Sequence, residues 1–137
     1  MKPLLSFAIA SLLVLVTTDA VAQKTDSFYS IQTSANPSEL RAGESGSVRI
    51  KIKMNGGAYI SSEAPLKATL SARNLQVGKA KLGRADAEHQ VDGPLFTVPV
   101  TGEATGPASL EADLVFFVCT EKLCERQTKK VNVSITV

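Results

Sequence analysis

Two cysteines and one histidine are the side chains in this sequence with the most distinctive chemistry. Cys119 and Cys124 are the only thiols, four residues separate them, and His89 is the only imidazole. Two thiols this close along the chain can form a structural disulfide or a pair that exchanges electrons with other thiols. They do not complete a four-ligand zinc site, and a disulfide would remove both thiolates from a copper site. We therefore expect no metal and no cofactor.

The two cysteines bracket a short polar connection that follows the apolar run Phe116–Val118. A chain that folds back over four residues brings the two Cβ atoms to within about 4 Å, the bridging range. As a staple, such a bridge contributes only about 2 kcal/mol, because it closes a loop of about six residues. As a redox pair at a hairpin tip, the bond stays open to attack by another thiolate. The basic residues Lys122, Arg126, Lys129 and Lys130 would favour the thiolate form of a cysteine, and Glu121 and Glu125 would oppose it. The spacing alone leaves both interpretations open.

The other reactive or aromatic side chains have ordinary structural interpretations. His89 lies in Gly83–Gly93, a polar segment that we predict to be an exposed loop, so the imidazole is expected on the solvated surface. Tyr59 is expected to pack in the core or across a strand. Phe116 and Phe117 should point to opposite faces of their strand, which would bury one and place the other near the cysteines.

The N-terminal segment has the pattern of an export signal. A basic residue near the start precedes the apolar run Leu4–Val16, and Ala20-Val21-Ala22 is a small-residue cleavage site. We expect cleavage after Ala22, a periplasmic location and no stable membrane insertion after cleavage. Removal of these 22 residues from the 137 leaves 115, enough for one domain at 23–137. An oxidising compartment would favour a Cys119–Cys124 disulfide.

Charge excludes some classes of partner. Lys and Arg number 15 against 13 for Asp and Glu, a surplus too small to predict binding to nucleic acid.

The mature chain is predicted to be all-β. Val48, Ile50 and Ile52 alternate with basic residues, which is typical of a strand with one wet face. The spacing of such runs favours an immunoglobulin-like antiparallel β-sandwich. The predicted strands are Phe28–Ser34, Val48–Met54, Leu66–Ala72, Leu75–Leu82, Leu95–Thr101, Ser109–Val118 and Thr128–Val137.

The second half of the mature chain resembles a known family. The similar features are Phe96-Thr97-Val98-Pro99-Val100, a turn containing glycine, the strand Leu110–Val118, the two close cysteines and a closing strand, KKVNVSI. Earlier segments that also fit are Pro37-x-x-Leu40-x-x-Gly43, Ala58-Tyr59-Ile60 and Ala64-Pro65-Leu66. In these features the chain is similar to the periplasmic N-terminal domain of the DsbD-type thiol:disulfide interchange protein, the disulfide bond corrector domain.

The resemblance implies an immunoglobulin-like domain whose cysteine pair takes electrons from a thioredoxin-like or membrane-linked thiol donor. It would then reduce a downstream periplasmic disulfide protein. By this resemblance Cys124 attacks the partner and Cys119 resolves the mixed disulfide. The family shields its disulfide with an aromatic cap loop, whereas Gly83–Gly93 contains no Phe or Tyr, so we expect a stand-alone, uncapped module.

The sequence therefore predicts a periplasmic thiol–disulfide exchange module, with protein-disulfide reductase as its enzymatic form. Encounters of this kind are transient, so we expect a monomer. The alternative is a non-catalytic exported β-sandwich, a binding or accessory domain in which the disulfide is purely structural. The identity of the partners and the direction of electron flow stay open.

Overall fold

The computed structural model describes residues 28–137, which form two packed antiparallel β-sheets. The predicted signal at residues 1–22 lies outside this range. The described residues contain no α-helix, and no helical segment among them is long and apolar enough to cross a membrane. The strands are β1 (Tyr29–Asn36), β2 (Ser45–Met54), β3 (Tyr59–Ile60), β4 (Lys67–Arg73), β5 (Leu75–Val77), β6 (Lys81–Leu82), β7 (Ala87–Gln90), β8 (Gly93–Gly102), β9 (Pro107–Cys119) and β10 (Cys124–Thr136). The predicted all-β sandwich is confirmed.

Strand β9 is the centre of the second sheet. The first sheet has the order β1-β2-β8-β5, with β7 also paired to β8. The second has the order β10-β9-β4-β6, with β3 also paired to β9. Along one side, β9 pairs with β10 from end to end. Along the other side it pairs first with β4 and then, at its last two residues, with β3.

The core lies between the sheets because each long strand alternates buried and exposed residues. On β9 every second residue from Ala108 to Val118 is buried, and on β10 Val133 and Ile135 are buried as the alternation predicts. The side chains that are fully buried include Val48, Ile50, Ile52, Phe96, Leu110, Leu114 and Phe116. Each large apolar side chain that is fully buried contributes about 1.5–3 kcal/mol.

The core also holds an aromatic pair close to the disulfide end. The ring of Tyr29 packs edge-on against Phe116, with centroids 5.0 Å apart. The Tyr29 hydroxyl donates a hydrogen bond to Oε1 of Gln127 at 3.0 Å, so the polar end of this ring is satisfied at the rim of the core.

Two of the predicted strands, Leu75–Leu82 and Thr128–Val137, differ from the observed ones. Leu75–Leu82 is not one strand: β5 pairs with β8 in the first sheet, whereas β6 pairs with β4 in the second. The chain crosses between the sheets at Gly78-Lys79-Ala80, and the apolar pattern on either side does not reveal that crossing. The last strand begins at Cys124 rather than near Thr128, because the polar residues after Cys124 continue the pairing with β9.

The predicted loop at Gly83–Gly93 is also wrong. It contains a 3-10 turn at Arg84–Asp86 and the strand β7, which pairs with the start of β8. The residues of β7 are poor strand formers, but hydrogen bonding to a buried neighbouring strand overrides intrinsic propensity.

The edge of the second sheet carries charges on its last strand. Lys130 of β10 lies across from two carboxylates of β9, Glu111 at 3.4 Å and Asp113 at 3.8 Å. The hydrogen bond to Glu111, together with the charge of Asp113, raises the pKa of Lys130. Near the end of β10, the backbone N–H of Leu40 donates to the carbonyl of Thr136 at 2.7 Å, so the chain before β2 covers that part of the edge.

Gly93 allows the β7–β8 hairpin to lie against β2. Its φ is +135°, a region that favours glycine. A Cβ atom at this position would lie 1.8 Å from the carbonyl oxygen of Ile52. Any larger residue would therefore push the hairpin away from β2.

We predict that Gly93→Ala lowers the free energy of unfolding by about 2 kcal/mol or more, because both the backbone conformation and the contact with Ile52 become strained. Urea unfolding followed by circular dichroism measures this. Gly78→Ala is the matched control, since a Cβ atom at that position would have no neighbouring atom within 4 Å, and it should change stability by less than about 1 kcal/mol. Equal effects of the two substitutions would contradict the prediction.

Candidate functional site

The β9–β10 hairpin places the two cysteines directly opposite each other. Cys119 is the last residue of β9 and Cys124 is the first of β10, and the register pairs them. The N–H of Thr120 donates to the carbonyl of Leu123 at 2.8 Å, which closes the turn between the strands. Hydrogen-bonded and non-hydrogen-bonded pairs alternate along an antiparallel ladder. The next pair, Cys119 and Cys124, therefore occupies a non-hydrogen-bonded position, where Cα atoms approach most closely.

The structure contains the predicted disulfide. The Cys119 and Cys124 sulfur atoms are bonded at 2.02 Å, and the two Cα atoms are 4.0 Å apart. Since both residues belong to a continuous ladder, the bond joins backbone positions that the register already holds together.

The two cysteines differ sharply in exposure. Cys119 is only 1% exposed, whereas Cys124 is exposed. Cys119 lies on the middle strand of three, between Cys124 on β10 and Tyr59 on β3, and it is paired in register with both. An attacking group arriving from solvent therefore reaches the disulfide at Cys124.

Tyr59 shares the outer face of the sheet with the disulfide. Residues directly opposite each other on neighbouring strands point to the same face, so Tyr59, Cys119 and Cys124 form one row across three strands. The side chain of Tyr59 is 54% exposed, which differs from the packed position that the sequence suggests. Phe117 lies on the same face and is half-buried, while Phe116 is fully buried, as the prediction of opposite faces requires.

Basic and acidic side chains are mixed around the disulfide. Lys122 occupies the turn and Arg126 follows on the outer face of β10, where its Nη1 lies 3.4 Å from the Thr128 hydroxyl oxygen. Glu121 and Glu125 flank the same turn. Lys130, which ion-pairs with two carboxylates of β9, lies six residues beyond Cys124. The predicted role of Lys130 beside the thiolate is therefore not supported, and the basic residues that lie closest to Cys124 along the chain are Lys122 and Arg126.

A cavity of about 370 Å³ opens beside this row of residues. It lies at the end of the sandwich, between β3 of the second sheet and the β7–β8 hairpin of the first. The lining residues are Met54, Ala58, Tyr59, Ile60, Ser62, Arg84, His89, Gln90, Val91, Gly93 and Pro94. Tyr59 belongs both to the cavity wall and to the strand next to Cys119, so it connects the two features.

The tip of the β7–β8 hairpin is fastened to β2 through Lys51. The Lys51 ammonium donates to Oε1 of Gln90 at 2.6 Å and pairs with Oδ1 of Asp92 at 2.6 Å. The N–H of Met54 donates to the carbonyl of Asp92 at 2.7 Å. The hydrogen bond from Lys51 lowers the pKa of the Asp92 carboxyl, so this contact persists until the pH falls below the ordinary range for aspartate. Val91, between the two anchored residues, is held in place although its side chain is fully exposed.

Arg84 fastens the 3-10 turn to the loop after β3. Its Nη2 donates to the carbonyl oxygens of Ser61 at 2.6 Å and of Ala64 at 2.5 Å. Asp86 in the same turn accepts a hydrogen bond from the N–H of Gly83 at 2.8 Å, and this bond is the main cause of its lowered pKa. Hydrogen bonds from Lys51 and Arg84 thus hold the segments on both sides of the cavity.

Sequence reasoning placed some of these residues well and missed others. Cys119 and Cys124 are brought together as predicted. His89 is exposed, as predicted, but it lies on β7 rather than in a loop. It also lines the cavity. The clustering of Tyr59 and Val91 at the disulfide end was not predicted, because it depends on how the two sheets pack on each other. Among the described residues, no group of three His, Cys, Asp or Glu side chains is arranged to hold a metal ion.

Comparison with protein-family models finds no match to this chain, and comparison with curated proteins finds none either.

We predict that after reduction Cys124 reacts with a thiol-alkylating reagent at least about tenfold faster than Cys119, because the buried thiol reacts only when the hairpin end opens locally. Peptide mapping by mass spectrometry at short reaction times measures the two rates. In denaturant the rates should become similar, which is the control. Similar rates in the folded protein would contradict the prediction.

Proposed function

We propose that this chain is a thiol–disulfide exchange module that passes reducing equivalents between a membrane-linked thiol donor and partner disulfide proteins. The observation that carries this proposal is the unequal exposure of the paired cysteines. An exposed sulfur can be attacked by another protein, while a buried neighbour can resolve the mixed disulfide without competing for that protein. Cys124 takes the first role and Cys119 the second.

Reduction of the module transfers two electrons from the donor. A donor thiolate attacks Sγ of Cys124, the Cys119–Cys124 bond breaks, and Cys119 leaves as a thiolate. The second donor thiol, once deprotonated, attacks the donor sulfur of the mixed disulfide and releases Cys124 as a thiolate. The donor ends as a disulfide and the module as a dithiol, which carries two electrons and takes up two protons.

Reduction of the partner runs in the opposite sense. The Cys124 thiolate attacks one sulfur of the partner disulfide, and the other partner sulfur leaves as a thiolate. The Cys119 thiolate then attacks Sγ of Cys124, which releases the first partner sulfur and restores the intramolecular bond. The partner gains the two electrons that the module loses.

The scaffold favours exchange over a purely structural bond. β9 and β10 remain paired over thirteen positions, from Cys119 and Cys124 at one end to Pro107 and Thr136 at the other. A bond across one end of such a ladder adds little stability, about 2 kcal/mol in the loop-entropy picture. The domain can therefore stay folded in both redox states, which a shuttle needs.

The proposed module differs from the family that it resembles in having no aromatic cap over the disulfide. The segment that would form an aromatic cap, Gly83–Gly93, forms a turn and β7 instead, and Cys124 remains exposed. We infer that the module works without a cap over its disulfide. A binding or accessory role with a structural bond remains the competing function, and the trapping experiment below separates the two.

We predict that Cys119→Ser traps a partner as a mixed disulfide through Cys124, because the resolving thiol is missing. The variant is incubated with a periplasmic extract and with a purified thioredoxin-like protein, and thiol-sensitive adducts are resolved on a non-reducing gel. Cys124→Ser is the matched control and should trap less, since its remaining thiol is buried.

The native disulfide should also be reduced by the thioredoxin-like protein while the circular dichroism spectrum stays β-dominated. If neither variant forms an adduct and the native bond resists the donor until the domain unfolds, the structural role is correct.

We further propose that the chain is exported to the periplasm with cleavage after Ala22, which the apolar run Leu4–Val16 supports. N-terminal sequencing of the protein recovered from the periplasm should begin at Gln23 or within two residues of it. A mature protein that retains Leu4–Val16 would contradict the periplasmic location. It would also remove the argument that an oxidising compartment favours the disulfide.

A further inference from the structure

The exposed apolar side chains of the described residues gather at the disulfide end. Among residues 28–137, the large hydrophobic side chains that are exposed are Tyr59 at 54%, Leu123 at 51% and Val91. They come from β3, the β9–β10 turn and the β7–β8 turn. Leu123 immediately precedes Cys124, and the other two line the cavity. Exposed hydrophobic side chains that cluster rather than scatter are typical of an interaction site.

The cavity has a mixed lining with more apolar than polar surface. Met54, Ala58, Ile60 and Pro94 contribute apolar atoms, Ser62, His89 and Gln90 contribute polar ones, and no carboxylate lines the cavity. The guanidinium of Arg84 already donates to two backbone carbonyls, so it is not presented as a free anion-binding group. The volume of about 370 Å³ lies within the range of pockets that take small organic groups. An aromatic side chain suits such a lining, because it offers a large apolar surface and tolerates polar groups at its edge.

The cavity lies within reach of a polypeptide bound at Cys124. Tyr59 on the cavity wall, Cys119 and Cys124 lie in one row across three strands. Neighbouring strands are about 4.8 Å apart, so the wall is roughly 10 Å from Cys124, or about three residues of extended chain.

The cavity walls are fixed before any partner arrives. Lys51 holds the residues on both sides of Val91, and Arg84 holds the loop that follows β3. A preformed pocket avoids the cost of ordering loops on binding, which favours recognition by a single inserted side chain.

We propose that this cavity is a specificity pocket for the thiol partner. It receives an apolar side chain, preferably aromatic, that lies two to four residues from the reactive cysteine of an extended partner segment. The inference rests on the proposed function, because it assigns the cavity to the partner that exchanges at Cys124. The pocket selects among partners by the side chain two to four residues from their reactive cysteine.

The test uses peptides whose single cysteine is in mixed disulfide with thionitrobenzoate. The Cys124 thiolate of the reduced protein attacks the peptide sulfur, and the coloured thionitrobenzoate anion leaves. Cys119 then displaces the peptide thiolate, so the protein loses two electrons and the reagent gains them. One peptide contains only Gly and Ser around its cysteine, and the others carry Phe at two, three or four residues on either side.

At least one Phe peptide should release the coloured anion about tenfold faster than the Gly/Ser peptide, the gain expected from burying one large apolar side chain. The ratio of these two rates should fall toward one in Val91→Ser and in Tyr59→Ser, which remove the two exposed apolar walls. Thr105→Ser, an exposed turn residue at the opposite end of the sandwich, is the control and should keep the full ratio. Using a ratio within each variant cancels any change in thiol reactivity.

No preference for any Phe peptide in the wild type, or an unchanged ratio in both wall variants, would overturn the pocket. A different result would contradict the proposed function. In that case the native disulfide would resist a thioredoxin-like donor, and the single-cysteine variants would trap nothing. A protein that traps partners but shows no Phe preference would therefore keep its exchange function and lose only the pocket.

Discussion

The register between β9 and β10 determines both the core and the disulfide. It sets Cys119 opposite Cys124 and, nine residues along, Leu110 opposite Val133. Because side chains alternate between faces with a period of two, a slip of one residue would turn Val133 and Ile135 toward solvent. The same slip would separate the two sulfur atoms. The packing of the core therefore preserves the geometry of the disulfide.

The core and the disulfide occupy different parts of the same hairpin. The buried side chains of β9 fix the strand from Ala108 onward, while the disulfide occupies only its last position. The proposed exchange would open one covalent link at the end of a ladder of thirteen residue pairs, most of which lie well away from the bond. The length of the hairpin thus separates the disulfide from most of the buried residues that stabilise the fold.

Local sequence patterns predicted the strands in which buried and exposed residues alternate. The alternation at Val48, Ile50 and Ile52 indicated the buried face of β2, and the short polar connection between the cysteines indicated the hairpin. Patterns of this kind depend only on neighbours in the chain. The strand at Ala87–Gln90 and the split of Leu75–Leu82 depend instead on which distant strand is adjacent, and the sequence does not encode that locally. The meeting of Tyr59, Val91 and Cys119 also depends on distant segments, since the β3–β9 and β7–β8 pairings and the packing of one sheet on the other bring them to one end.

The charged outer strand has a consequence for how such a protein behaves in a crowded compartment. A hairpin at the edge of a sheet offers a template on which further chains can pair. Residues Arg126 and Lys130 on the outer face of β10, with Glu125 and Lys129 on the other face, place charge along that edge. Charges there disfavour the addition of a second strand and the growth of ordered aggregates. Charge along β10 therefore protects the edge beside the disulfide from edge-to-edge pairing.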